Sequence, residues 1–399
     1  MSDSGSAVAG LQTREIRAIN SVQAVRPHCL GVRRAGDVIP AEERCIFHAG
    51  PPYRSPSDIP APVLHSAAQA AVFEGWYPDV FEAMSAVRSG EIRTSSAQDH
   101  RLMVPLAGVL SASMLVLEIT DPALELAPVW VALNEGQRHA TRLGRLDGEL
   151  IQHLHWLNGA FGPWLAQCFA SPLSLLPIMA QAHGCGDDCH SRTVVGSELI
   201  ASALLKRAPQ ASEDVRTFLQ DSPAFALNFW MGAAMLAASA VDGRAGSSIV
   251  TRAGGNGVEF GIQLAARPGE WVCMQAPVPV GELDAAHSER LAVGALGDSA
   301  IVDFSGLGGQ SLRTAPLVAQ AVKGALPHDA LQRPMQVLAS DKGDIADGLS
   351  ATSAECCVSA GTGPLVLIGM IDAKGVAGRI GGGVVDVPVA LFKRALDAN

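Results

Sequence analysis

Residues 223–241, PAFALNFWMGAAMLAASAV, run for 19 positions without a charged side chain. This stretch limits what the chain can fold into more than any other. A segment of that length and polarity either spans a bilayer or is enclosed by protein on every side. It is rich in Ala and Gly, Asn228 interrupts it, and Ser222 and Pro223 stand in cap and first-turn positions. No Lys/Arg asymmetry flanks it, so it predicts a central helix buried in the core of a soluble protein rather than a membrane span.

A chain of 399 residues, 48% hydrophobic and 17% charged, has the apolar mass to surround such a helix. It also exceeds the roughly 250–300 residues at which a single core stops growing, which predicts two or three domains. The net charge of -10 repels phosphate backbones. The isolated basic pairs Arg33-Arg34 and Lys206-Arg207 read as solvated faces or helix ends, so no nucleic-acid partner is expected. The opening MSDSGSAVAGLQTREIRAIN lacks the basic-then-apolar order of a secretory leader. Eight scattered cysteines build no disulfide framework and read as reduced thiols, so a cytoplasmic location is predicted.

The pattern along the chain predicts a mixed α+β or α/β multidomain fold. A loose N-terminus covers 1–20 and an α/β domain 21–140, with helices over 63–75 and 79–90, the latter capped by Asp79 and closed by Gly90. Strands follow over 113–120 and 128–136. An all-helical domain fills 141–243. An α+β domain over 244–399 begins with strands and glycine turns, including GDSAIVDFSGLGG (297–309), and closes with a strand, the turn GRIGGG (378–383) and a terminal helix.

Ligand-capable side chains are densest in HGCGDDCH, residues 183–190. Three readings stand. His183, Cys185, Cys189 and His190 are acceptable zinc ligands, but Cys189 and His190 are adjacent and a distant second pair is missing. As an acid/base group, His190 has its imidazole oriented by Asp187, and the forked guanidinium of Arg192 holds an anionic substrate. As plain structure, Asp187 or Asp188 caps the following helix. No metal is the expectation.

Other stretches are candidates for the same pocket. His48 precedes a stiff Gly-Pro-Pro turn, and Glu74 in FEGW is either a carboxylate in apolar surroundings or an arginine's partner. Asn134 and Glu135 end a predicted strand, where α/β folds collect ligands. The turns GGNG (254–257) and GLGG (306–309) offer backbone N–H groups to an oxyanion, though neither fits a dinucleotide or P-loop pattern. GVLSASM (108–114) is no nucleophile elbow.

In order, the stretches HAGPP, FEGW, SASM, LNEG, GDDCHSR, SALLKRA, SSIVT, NGVEFGI, GDSAI, GLGG and GRIGGG with VPVALFKRAL resemble the YlbE/AllG-like family of oxamate carbamoyltransferase subunits, over residues 20–397. The resemblance implies carbamoyl transfer in allantoin degradation, between oxalurate or a related ureide and phosphate. It also implies a multisubunit complex with FdrA-like and YlbF-like partners and no cofactor beyond phosphate or carbamoyl phosphate as co-substrate; a homo-oligomer is also compatible with it. Its site residues carry over as His48, Gly50, Glu74, Ser111, Ser113, Asn134, Glu135, Gly186, Asp187, His190, Arg192, Asn256, Gly257, Asp298 and Ser299. On this reading His190, Asp187 and Arg192 are catalytic. His48, Glu74, Ser113, Asn134, Glu135, Asn256, Asp298 and Ser299 bind substrate, and phosphate is cradled by GGNG or GLGG with Arg192 or Arg252.

Departures from the family pattern are Val104 and Leu110 for a glycine and a threonine, Leu367 for an asparagine, Asp372 for a histidine and Arg379 for a glutamine. A carboxylate at 372 in place of histidine implies a local preference turned against anions. The chain therefore reads as a diverged member, with a non-catalytic scaffold subunit or a metal-dependent amidohydrolase as alternatives.

Overall fold

The charge-free stretch forms the helix Ala226–Ser239, and every residue of it except Leu227 is buried. The computed structural model describes residues 15–39, 44–133, 136–340 and 345–398, so residues 1–14 of the expected loose terminus lie outside the described residues. The helix starts later than the Ser222-Pro223 signal predicts. Phe225 N–H donates to the Ser222 carbonyl in a preceding turn, and the Pro223 carbonyl accepts from the Thr193 and Ser197 hydroxyls instead. At Gly232 a Cβ would lie 2.6 Å from Ile119 Cγ1 and 2.8 Å from Val131 Cγ2, so the helix rests directly on the strands carrying those residues. Among the described residues no helix is long and apolar enough to cross a membrane.

Among the described residues the strands form four sheets, and the helix packs on strands of two of them. A five-stranded sheet runs in the order Leu102–Met103, Val129–Ala132, Leu115–Thr120, His28–Arg34, Leu173–Ser174. Its core pairing, His28 opposite Thr120 through Arg34 opposite Leu115, is antiparallel and includes the basic pair expected on a solvated face or helix end. A three-stranded sheet of Arg93–Ser96, Cys45–His48 and Val109–Leu110 lies beside it in the chain. Beyond the helix, Val272–Gln275, Glu259–Leu264, Val250–Asn256 and Leu296–Gly297 form a third sheet, and Val280–Leu283, Arg379–Asp386 and Leu365–Ile371 a fourth. One continuous apolar cluster takes in residues from Ala18 to Ala395. The mixed α+β class is as the sequence predicts.

Local differences have simple causes. AIVDF (300–304), expected in a strand-and-turn region, is a short buried helix; four apolar residues around one aspartate carry no period that separates the two states. GRIGGG is a turn only at Gly378, which stands at φ 76° just before the strand. Gly381, Gly382 and Gly383 lie in the central strand Arg379–Asp386, where a Cβ on Gly381 would sit 2.5 Å from the Glu282 carbonyl oxygen and one on Gly383 2.8 Å from Pro279 Cβ. The helical segment also contributes the two-residue strand Leu173–Ser174 to the first sheet. Elsewhere the end signals hold: Asp79 accepts N–H bonds from Phe81 and Glu82, and Gly90 closes that helix in the left-handed region.

Candidate active site

The cluster at 183–190 begins in the last two residues of the helix Leu176–Gly184 and continues as a tight turn toward the helix Val194–Arg207. Asp188 holds the turn, accepting N–H bonds from His190, Ser191 and Arg192 at 3.1, 3.2 and 2.7 Å and the Ser191 hydroxyl at 2.7 Å. Cys189 is thereby fixed at φ 64°, a left-handed conformation uncommon for a residue with a side chain. Asp187 caps the next helix, its Oδ2 accepting the Gly196 N–H at 2.8 Å while Oδ1 sits 3.4 Å from Arg192 Nε. Burial raises its carboxyl despite those N–H groups.

Asp187 therefore does not orient His190. The partner is Asp303, whose Oδ2 lies 2.6 Å from His190 Nδ1, both side chains being buried. Asp303 Oδ1 accepts the N–H of Gly309 at 2.7 Å and of Leu367 at 3.1 Å. Burial pulls the imidazole down, but the Asp303 charge beside it prevails and raises it above the ordinary value, with Asp188 acting in the same sense. Burial pushes the Asp303 carboxyl up, against His190 and the two N–H groups. Nδ1 is paired to Asp303, which leaves Nε2 as the ring nitrogen outside that pair.

The four ligand-capable side chains of the turn diverge. His183 Nε2 is 2.7 Å from the Thr314 hydroxyl, Cys185 is exposed, and Cys189 is buried with its sulfur 3.9 Å from the Met179 carbonyl. Among the described residues no group of three or more His, Cys, Asp or Glu is placed to hold a metal ion.

His190 opens onto a cavity of about 330 Å³ whose walls come from widely separated parts of the chain. Pro105, Leu106, Gln137 and Arg142 supply one side, Ser191, Thr193, Ala224 and Leu227 another, and Ser299, Leu367, Gly369, Arg379 and Gly383 close it. Arg142 is buried and donates through Nη2 to the Gly136 carbonyl at 3.0 Å. Its described lining residues include two arginines, Arg142 and Arg379, together with His190. Leu106, at φ 48°, is a second left-handed residue on its wall.

Of the sequence candidates, His190 and Ser299 line the cavity and Arg192 lines an adjoining groove. Asn134 and Glu135 lie outside the described residues. The remaining candidates stand elsewhere. Glu74 is half-buried and accepts the Ser113 N–H at 2.6 Å, and the Ser113 hydroxyl accepts from Arg34 at 2.9 Å. Asn256 is spent on a turn, accepting from the Val258 and Glu259 N–H groups and donating to the Pro51 carbonyl. His48 contacts the Ala49 carbonyl through Nδ1 at 2.9 Å, so that nitrogen carries the hydrogen, while its buried Nε2 has no hydrogen-bond partner among the described residues. Burial takes this imidazole down to about 4.

The proposed phosphate cradles are also occupied by protein. Gly308 N–H donates to the Asp188 carbonyl and Gly309 N–H to Asp303. At Gly255 a Cβ would come within 2.0 Å of the Ala295 carbonyl oxygen, which makes GGNG a close strand contact. Arg252 is paired to Asp242 at 2.8 Å. Asp372 does not turn the site against anions. It holds a turn through the N–H groups of Val376 and Ala377 and is paired to Arg290 at 2.7 Å, while Arg379 brings a cation to the cavity. Sequence reading missed Asp303 and Arg142. A lone carboxylate in the apolar run SAIVDF was the available signal for the first.

Asp298 anchors the loop beside the cavity. Its Oδ1 accepts from Gly50 N–H at 2.8 Å and the Gln98 amide at 2.6 Å, and its Oδ2 accepts from Val104 N–H at 3.0 Å. Burial nevertheless pushes its carboxyl up from the ordinary 3.8 to about 7. Between these values the unfolded chain gives up the proton while the folded chain keeps it, so this group makes stability fall as pH rises and levels off above about 7. Asp298→Asn is expected to abolish that slope, and to cost about 1–3 kcal/mol because its amide N–H would face donors. Denaturant titrations of both proteins between about pH 4 and pH 8 test this; parallel stability curves would refute it.

The fold and this pocket define a class: a mixed α+β protein with a buried histidine–carboxylate pair at a cavity that two arginines also line. The family described as oxamate carbamoyltransferase subunit AllG matches residues 92–299, more than half of the chain, and the chain belongs to that family. It is 29% identical to the oxamate carbamoyltransferase subunit AllG of Escherichia coli strain K12, over 95% of both chains. It is 28% identical to the uncharacterized protein YahG of the same organism, over 95% of this chain and 84% of that one. The crystal structure of a conserved protein of unknown function from Enterococcus faecalis V583 superposes with a TM-score of 0.90 at 28% identity, covering 98% of this chain and 97% of the other. The matched stretch contains Arg142, His190 and Ser299, whereas Asp303 and Arg379 follow it in the chain.

Proposed function

We propose that the chain is the catalytic subunit of an oxamate carbamoyltransferase-like enzyme, moving a carbamoyl group between oxalurate, or a related ureide, and phosphate. The observation that supports this most is the cavity that joins His190, backed by Asp303, to the guanidinium groups of Arg142 and Arg379. Oxalurate and phosphate are both anions, and guanidinium forks match carboxylate and phosphate oxygens.

In the proposed reaction a phosphate oxygen attacks the carbamoyl carbon, and the carbonyl oxygen takes up negative charge near the cavity's arginines. His190 Nε2 accepts the proton of the attacking phosphate hydroxyl and delivers it to the ureide nitrogen as the carbon–nitrogen bond breaks. Carbamoyl phosphate and oxamate leave, with no net change in the dyad. The proposed setting is a complex with FdrA-like and YlbF-like subunits.

Reconstitution tests the reading. The chain combined with those subunits is expected to consume oxalurate only when phosphate is present, with carbamoyl phosphate formed in equal amount. A complex whose activity survives unchanged when His190 and Asp303 are replaced would instead make this chain a scaffold.

A further inference from the structure

The cavity at His190 does not end at Arg379. A second, more open groove of about 620 Å³ adjoins it, and the two share Ser191, Val194, Val322, Arg379 and Gly382 as common wall. Two guanidinium groups face this groove. Arg379 has one loose ion pair, with Asp284 at 3.9 Å, both side chains being about half exposed. Arg192 touches Asp187 only through Nε, and neither of its Nη atoms has a hydrogen-bond partner among the described residues. By contrast, the buried Arg333 bonds to Asp329, Asp386 and the Gly363 carbonyl, and the buried Arg252 bonds to Asp242. Among the described residues lining the groove, one carboxylate, the exposed Glu282, stands with the two guanidinium groups.

A transfer reaction holds a donor and an acceptor at once, and two like-charged anions in one 330 Å³ chamber repel unless cations stand between them. Arg379 occupies the wall that both compartments share. We propose that the outer groove is a second oxyanion seat, in which Arg192 and Arg379 hold a phosphate-type anion while the inner cavity at His190 and Arg142 holds the organic acid. This assignment rests on the functional reading above for the identity of the two anions. Arg379 then acts as the specificity-determining cation, in reach of both compartments and screening one anion from the other.

Calorimetric titration of the full chain with inorganic phosphate, and separately with oxamate, tests the arrangement. Phosphate is expected to bind equally well in the presence of saturating oxamate. Arg192→Gln is expected to weaken phosphate by about tenfold, the effect of losing one charge-assisted contact, with oxamate affinity retained. Because Arg192→Gln also removes the contact to Asp187, Ala321→Trp provides a second route: Ala321 is an exposed groove residue, and the indole would fill the seat without touching the dyad. Competition between phosphate and oxamate, absence of phosphate binding, or phosphate affinity unchanged in either variant would overturn the outer seat. None of these results decides the role of His190, which turnover of the assembled complex tests separately.

Discussion

Replacing His190 by alanine is expected to lower phosphate-dependent turnover of the assembled complex by about 10² to 10⁴-fold, the usual loss when a general acid/base group is removed. The same change should leave the fold intact, because the turn that carries residue 190 is held by the Asp188 carboxylate through backbone N–H groups that alanine retains. The cost is limited to the dyad: Asp303 is left buried without its cationic partner and takes up a proton instead. The pH profile adds a second readout. His190 has a raised proton affinity, so the rate limb that requires its unprotonated form lies on the alkaline side of the ordinary imidazole value. That limb should vanish in the alanine variant. A variant with wild-type turnover and an unchanged profile would remove His190 from the reaction.

Asp303→Asn is expected to be nearly as damaging to turnover and more damaging to stability. The amide oxygen can still accept from Gly309 and Leu367, so the loop 307–309 and the strand Leu365–Ile371 stay attached. The other end then presents an amide group 2.6 Å from Nδ1 in place of a charge, and burial acts on the imidazole with only Asp188 opposing it. His190 loses proton affinity and its ring loses a fixed tautomer, for which a drop of about 10² to 10⁴-fold in turnover is expected. Breaking a buried pair by removing one charge costs about 3–5 kcal/mol.

The pH dependence has a definite sign. His190 has a raised folded-state proton affinity, so its contribution to stability is full below its unfolded value of about 6.5 and is lost as pH rises through the folded value. The stability gap between wild type and Asp303→Asn should therefore be widest at mildly acidic pH and narrow toward alkaline pH. Thermal unfolding across that range measures it, and a gap that widens with pH would contradict the assigned pair.

Local chemistry made several features readable from the residues alone. Nineteen uncharged positions in a chain without flanking charge bias had to become an enclosed helix, and Ala226–Ser239 is one. Asp79 and Gly90 marked the ends of their helix because a carboxylate can accept end N–H groups and glycine tolerates positive φ. The polar turn at 183–190 announced itself by density of side chains, and the order of short motifs carried the family. The glycine run 381–383 misled because closeness to a neighbouring strand, rather than a reversal of direction, was what required small residues there.

The partner of His190 belonged to the other kind of information. Asp187 and Asp188 stood next to it in sequence, yet one is committed to the following helix and the other to the turn itself. Asp303 lies over a hundred positions away on a five-residue helix, brought in by packing of that helix against the strand Leu365–Ile371 and the central helix. Arg142 and Arg379 likewise meet only across the cavity. The sequence by itself determined which segments are buried, where several helices end and which turn is chemically dense, because those follow from hydration and backbone preference over a few neighbouring residues. Only the tertiary structure decided which carboxylate serves the imidazole and which cations share its cavity, because a charge buried far from water is stabilised by whatever partner packing sets within a few ångströms, however distant along the chain.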